Sequence, residues 1–402
     1  MSGTAGSSEE AATALQVVGE LRISERTVTK LTAEVGGEMA DDRDRRVKQY
    51  VEQPLPRKAT EVSPPPPLAA VFCDGGRMRT RAEGGGHGVH QPHWRETKNA
   101  AFHRMQTRSW ETNPQPELPE CFRNQAYVEK LVLGLKKAKQ PERPLIVPLP
   151  TAEPPEPPQA ALAEAGSMKW QPQMLVRTCI SSLASSDEFG PQMAAEADAR
   201  GFYCAAKRAY LGDGQAYNWT IQRKWFATFT PIVDFIHVVE YLYEAAKAIE
   251  KNTVACWQQY VNWAQACWQG KVGQVIDDLQ RHGASSPEEA ASAAAGLREH
   301  EAEVVRRAAT YLTNNASRMD YPCYRQEGLP VTSSLAESLV KQISKRVKGT
   351  EKFWDDGASG EAILQVRAAV ISKDGRLARF LHDRPISPYS PRCRSSPPVT
   401  AV

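Results

Sequence analysis

Apolar residues recur at helical spacing from the start of the chain. Leu15, Val18 and Leu21 form one stripe (i, i+3, i+6), and Val28, Leu31, Val35 and Met39 form a second (i, i+3, i+7, i+11). Ser24 is a good N-cap for the second, so Ala11 to Tyr50 predicts two helices joined at Arg22-Ile23-Ser24. Pro54 to Pro67, with four consecutive prolines from Pro64, cannot continue a helix and predicts a stiff linker. The period then changes. Leu68 to Cys73 is a short apolar run between proline and Asp74-Gly75-Gly76, the pattern of a buried strand that ends in a turn. Arg77 to Glu83 and Trp94 to Met105 predict two further strands of a meander, with Gly84-Gly85-Gly86 as a mobile loop between them. Pro114 to Pro158 reads as an exposed, extended insertion, with eight prolines from Pro141 to Pro158 and a short helix over Tyr127 to Lys139.

Regular patterning resumes at Gln192 to Arg200, a helix, followed by Lys207 to Gly214, a strand ending in a turn. Ile232 to His237 predicts a strand running into a helix, and the sequence stays helical to about Arg307. Within it Trp257, Val261, Ala264 and Trp268 (i, i+4, i+7, i+11) read as core packing. Pro287 to Thr310 predicts another long helix, Ser334 to Lys348 a further helical block, and Gly360 to Ser372 a last helix. The Pro/Ser/Arg-rich end from Pro385 predicts disorder.

The length of 402 residues, 41% of them hydrophobic, allows roughly two to three domains. No uninterrupted apolar run of about 18 residues occurs. Ile232 to Ile249 comes nearest and is broken by Asp234, His237, Glu240, Glu244 and Lys247, so no membrane span is expected. The opening residues lack the basic-then-apolar order of a secretory signal, which makes the cytosol the default compartment. Eight cysteines without a C-x-x-C pair argue against a zinc ribbon and for free thiols. A net charge of +3 announces no nucleic-acid partner. Its distribution is more informative, because Lys341 to Arg394 holds twelve Lys/Arg against six Asp/Glu, which favours a polyanion.

Ile23-Ser24-Glu25-Arg26-Thr27-Val28 has the I-S-x-x-T-V form found where the recognition helix of a helix-turn-helix begins, with Arg26 and Lys30 on the outer face. A helix pair used only for packing or dimerisation fits the same residues. Three acidic positions sit where a carboxylate would project into a cleft: Asp74, Asp213 and Glu337. Singly, each has a bland explanation, since Asp74-Gly75 and Asp213-Gly214 are turn signals and Ser334-Leu335-Ala336-Glu337 fits a capping box. His87, His90 and His93, spaced by three in a Gly-rich loop, are a weak zinc motif without a further ligand pair.

Taken in order, the three acids resemble the plan of DDE transposases: a strand ending in Asp, another strand ending in Asp, a helical insertion, and a helix carrying Glu. The closer resemblance is to bacterial insertion-sequence transposases of the Kra type, from about Ala11 to about Ser372. It is carried by Phe72-Cys73-Asp74-Gly75, Trp94-Arg95-Glu96-Thr97-Lys98, Tyr210-Leu211-Gly212-Asp213-Gly214, Gly328 to Ser338 and Val347 to Trp354. Asp234-Phe235-Ile236-His237 matches the Cys/Asp-x-x-His found soon after the second Asp in related transposases with a helical insertion.

The resemblance implies an α/β fold, a ribonuclease H-like mixed sheet flanked by helices, with an all-helical insertion and an N-terminal helix-turn-helix. The segments would be 1–53 (helix-turn-helix), 54–67 (linker), 68–250 (first part of the catalytic domain, with the proline-rich 114–158), 251–325 (insertion), 326–384 (remainder of the catalytic domain) and 385–402 (tail). It implies an enzyme in which Asp74, Asp213 and Glu337 hold two Mg2+ or Mn2+ ions and Asp234 and His237 order the site. Arg26, Lys30, Lys341, Lys345, Arg346 and Lys348 would contact double-stranded DNA, both transposon ends and target. A homo-oligomer on paired ends at the nucleoid follows. Such transposases usually carry more sequence ahead of the helix-turn-helix. An inactive or co-opted transposase that only binds DNA, and a ribonuclease H-like nuclease, are the alternatives.

Overall fold

The computed structural model describes residues 3–81, 93–139, 170–283, 299–333, 339–348, 354–355 and 357–384. Two N-terminal helices, α1 (Ser8–Gly19) and α2 (Glu25–Val51), start on serine caps, Ser7 and Ser24. They precede a mixed sheet flanked by helices. Its strands are β1 (Leu68–Arg81), β2 (His93–Gln106), β3 (Gln173–Ser182), β4 (Lys207–Gly212) and β5 (Thr230–Val233). They lie in the order β3-β2-β1-β4-β5, with β2 antiparallel to both neighbours and β1, β4 and β5 mutually parallel. The two-residue β6 (Trp354–Asp355) pairs in parallel with the far end of β1.

The helices between and after the strands are α3 (Gln125–Lys139), α4 (Ser186–Asp198), α5 (Ala216–Trp225) and α6 (Phe235–Ile249), then α7 (Thr253–Trp268), α8 (Val272–Gly283), α9 (Glu299–Asn315) and α10 (Tyr321–Gln326). The last three are α11 (Leu339–Val347), α12 (Ala358–Ile371) and α13 (Arg376–Asp383). Among the described residues, no helix is long and apolar enough to cross a membrane. The two sheet faces are buried separately. Phe102, Tyr210, Phe235 and Trp268 belong to the large core on one side; Met78, Ala101 and Cys179 meet Ile343, Val347, Ile363 and Leu364 of α11 and α12 on the other.

The Asp74-Gly75-Gly76 turn is not formed. The strand predicted to stop there and the one predicted from Arg77 are a single 14-residue strand, because β2 pairs without a break through Asp74↔Asn99, Gly75↔Lys98 and Gly76↔Thr97. Glycine at 76 answers crowding instead, since a Cβ there would come within 2.7 Å of Thr97 Oγ1. Strand β3 and helix α5 have no counterpart in the sequence reading, and α4 begins six residues before the predicted Gln192, on a reciprocal cap between Ser185 and Glu188. Trp268 of the tryptophan stripe is fully buried and Trp257 half-buried, both packed as core. Seven described cysteines are free. The predicted loop over 84–86, the prolines from 141 to 158, the start of the helix predicted from Pro287 and the tail lie outside the described residues.

Helix α2 lies along α12, closely enough that a Cβ on Gly36 would be 2.2 Å from the carbonyl oxygen of Ala362. An ion pair from Arg43 to Glu361 holds the same contact, and Glu38 pairs with Arg384 at the end of α13. Because the obstructing atom is backbone, Gly36→Ala is expected to lower stability by about 1–3 kcal/mol in denaturant unfolding. An unchanged midpoint would mean that the helices do not meet there.

Candidate active site

Three parallel strands set the register of the site. Cys73 of β1 lies opposite Gly212 of β4, and Gly212 lies opposite Val233 of β5. One residue further along each strand is an aspartate: Asp74, Asp213 and Asp234. With strands ~4.8 Å apart, this step forms a row of carboxylate-bearing positions across the sheet. The row lies at the carboxyl ends of β4 and β5, where open α/β sheets bind ligands, whereas β1 runs on past it. Residues 139 apart in sequence, Asp74 and Asp213, thus become neighbours.

The three carboxyl groups are held differently. Asp74 is half-buried and accepts a hydrogen bond from the Gly75 amide (2.8 Å). Burial, and after it the charge of Asp213, push its pKa up to about 7, with His237 opposing. Asp213 is 7% exposed; its Oδ1 accepts from Asn218 Nδ2 (2.7 Å) and the Gln215 amide (3.0 Å). The turn beyond it requires Gly214, whose φ of +93° and contact with the Tyr311 ring exclude a side chain. Asp234 caps α6 through the Ile236 amide, and also accepts hydrogen bonds from the backbone amide (3.1 Å) and hydroxyl of Ser333. Its lone pairs are therefore committed to ordering the site.

His237 lies in the first turn of α6, 4% exposed, with Nδ1 3.6 Å from Glu240, an ion-pair distance too long for a hydrogen bond. Burial disfavours its imidazolium. Glu240, Asp74, Asp213 and Asp234 outweigh that and raise its pKa to about 9, so the ring carries positive charge beside the acidic row at neutral pH.

Glu337 lies outside the described residues, as does the predicted capping box. The chain on either side of it is fixed. Ser333 is bound to Asp234, and Val340 Cγ1 lies 3.3 Å from the position of a Cβ on Gly76, two residues beyond Asp74. Lys341 and Lys345 are exposed on α11, and the Lys348 amine lies 5.8 Å from the Trp94 ring centroid. Arg346 corrects the expectation of a phosphate contact. It is 4% exposed, lies over Trp354 and donates to the Gly6 carbonyl, because its side of α11 packs inward. Arg26 and Lys30 are exposed near the start of α2. His87 and His90 lie outside the described residues, and His93 Nδ1 is 2.9 Å from Thr80 Oγ1.

Two ordering residues escaped the sequence reading. Asn99, opposite Asp74, reaches its carbonyl through Nδ2 (3.5 Å) and accepts from Ser181 (2.6 Å). Asn218 fixes Asp213. Only the strand pairing exposes the first, while the second's position one turn into a helix after Asp213-Gly214 was a readable signal.

Among the described residues, no three His, Cys, Asp or Glu side chains are gathered as a ligand set. The Asp74 and Asp213 pair nonetheless suits a hard divalent cation, because a carboxyl that resists ionising beside another carboxylate gains most from a nearby positive charge. No family model and no curated protein matches the chain.

Proposed function

We propose that this chain is a DDE-type transposase of the bacterial insertion-sequence Kra type, binding the terminal inverted repeats of its element and catalysing DNA strand cleavage and strand transfer. The observation that carries the reading is the register that makes neighbours of Asp74 and Asp213. The sheet supports a ribonuclease H-like fold, with three antiparallel strands extended by two in parallel. The anchoring of Ser333 to Asp234 and of Val340 beside Gly76 supports Glu337 as the third acid, since both residues, which flank it in the sequence, lie near the row.

Asp74, Asp213 and Glu337 would hold two Mg2+ or Mn2+ ions, which activate a water or 3'-hydroxyl and offset charge at the phosphate. Asn218 aims Asp213, Asp234 ties Ser333 to the sheet, and His237 lowers the negative potential of the row. Lys341 and Lys345 share an exposed helix face that would grip DNA phosphates, with Lys348 beyond them. Arg26 and Lys30, at the start of a helix-turn-helix second helix, would meet the transposon end. Two ends joined in one event require a homo-oligomer, acting at the nucleoid.

The test is cleavage of labelled duplex carrying the element's ends, in magnesium, manganese or EDTA, with wild type and Glu337→Gln, and an RNA-DNA hybrid alongside. Metal-dependent nicking at the ends, lost in the variant, is expected. End-specific binding without cleavage in any metal would leave a DNA-occupying protein, and preference for the hybrid a nuclease.

Linkage gives an independent readout. Asp74 ionises near pH 7 in the folded chain against an ordinary value of 3.8. Stability from its protonated form is therefore present in full below about pH 4 and lost as pH rises to about 7 in metal-free protein. Magnesium should raise the melting temperature more at about pH 8 than at about pH 5.5, and Asp74→Asn should remove that difference. Equal gains at both pH values would count against Asp74 as a ligand.

A further inference from the structure

Glu96 and Lys98 of β2 and Tyr217 of α5 converge over Gly75, which lies opposite Lys98 in the strand pairing. A Cβ on Gly75 would stand 3.2 Å from Glu96 Oε1 and 3.4 Å from Tyr217 Oη, so the glycine leaves room that a side chain would fill. Its amide donates to Asp74 Oδ1, which places the opening next to the first carboxylate of the row.

Lys98 is 5% exposed, with its ammonium 4.1 Å from the Tyr217 ring centroid and 2.7 Å from Glu96 Oε1. An ammonium so far removed from water requires a counter-charge. Glu96 supplies it from a removable position. Its side chain is 50% exposed, and exposed Arg77 stands directly opposite it in the strand pairing, a second cation within its reach. Tyr217 Oη is buried and, among the described residues, has no hydrogen-bond partner. Burial, and after it the neighbouring Cys73, Asp213, Asp74 and Glu96, raises the pKa of the phenol, so it keeps its proton and stands as an idle donor. A buried ammonium and an idle hydroxyl at one opening suit an oxyanion, which both can bind by charge-assisted hydrogen bonds.

We propose that Glu96 is a placeholder, displaced from Lys98 by a phosphate oxygen of the bound DNA strand. The oxygen takes the Lys98 ammonium and the Tyr217 hydroxyl as partners while Glu96 turns to Arg77. The exchange never leaves the buried ammonium without an anion. The inference rests on the reading of this chain as acting on DNA, and deepens it by assigning a phosphate subsite one residue beyond Asp74.

The test is fluorescence anisotropy in EDTA with labelled duplex carrying the element's ends. Glu96→Gln is expected to bind about fivefold more tightly and Lys98→Met about tenfold more weakly, although both break the same ion pair; added to Lys98→Met, Glu96→Gln should change affinity less than about twofold. Tyr217→Phe should bind about threefold more weakly at an unchanged melting temperature, since the hydroxyl it lacks is idle in the free chain. That variant keeps the test valid if Lys98→Met does not fold. Weaker binding by both Glu96→Gln and Lys98→Met would make the pair structural and overturn the proposal. So would a gain from Glu96→Gln that persists without Lys98, or wild-type affinity in Tyr217→Phe. Inorganic phosphate that raises the melting temperature of Glu96→Gln more than that of wild type, with duplex affinities level, would assign the opening to free phosphate and overturn the placement of a strand there. The expected pattern in a protein that never cuts DNA with magnesium would uphold the subsite while refuting the transposase reading.

Discussion

Asp213→Asn should reduce metal-dependent strand cleavage by about a thousandfold and leave duplex binding within about twofold of wild type. The substitution keeps shape and removes charge. An amide oxygen at the same place still accepts from Asn218 Nδ2 and the Gln215 amide, so the turn at Gly214 is retained. Loss of the neighbouring charge relieves Asp74, whose ionisation Asp213 opposes. The melting temperature of the metal-free variant should therefore not fall below wild type. This combination of a lost reaction with an undiminished fold separates a metal-holding carboxylate from a structural one. Cleavage that survives in both Asp213→Asn and Asp74→Asn would remove the basis of the proposed chemistry.

Trp268→Ala should cost about 3–5 kcal/mol in urea unfolding, the range for deleting a large aromatic side chain from a core. Trp268 is fully buried, packs edge-on against Phe235 (centroids 4.9 Å apart), and donates from Nε1 to the Gln115 carbonyl (2.8 Å). Arg325, also fully buried, lies 4.1 Å over its ring and donates to its carbonyl and to Asn113. Burial already lowers the Arg325 pKa to about 9. Removing the ring strips a desolvated cation of its π partner and adds to the cavity cost. Trp268→Phe, which keeps a ring and loses the N–H, should fall well short of that loss. A change under about 1 kcal/mol for the alanine variant would show that the ring is not central to the core.

Sequence patterning reached those parts of the molecule where neighbours in the chain are neighbours in space. Strand β4, the junction at Asp234 into α6 and the helices around Trp268 all follow from local period and caps. It failed where a partner strand decides. Asp74-Gly75-Gly76 carries strong turn residues, yet β2 passes alongside and overrides them, since pairing satisfies the backbone on that side. Strand β3 follows a proline-rich stretch and depends on β2 for its partner. At the candidate site, Asp74 and Asp213 were singled out through a resemblance, and their adjacency follows only from register. Arg346 was misassigned because basic residues on a short helix look alike until one face is seen to be covered by Trp354.

The two neighbouring aspartates are braced by different partners, although their strands are paired in one sheet. Asp74 sits inside an unbroken strand, while the main chain at Asp213 and Gly214 is fastened to α9 by Tyr311 and Asn315. The gap between their carboxylates is therefore a gauge of where α9 stands relative to the sheet. A tilt of that helix would pull on the main chain at Asp213 and so change that gap, since among the described residues β1 has no such tie to α9 through Asp74.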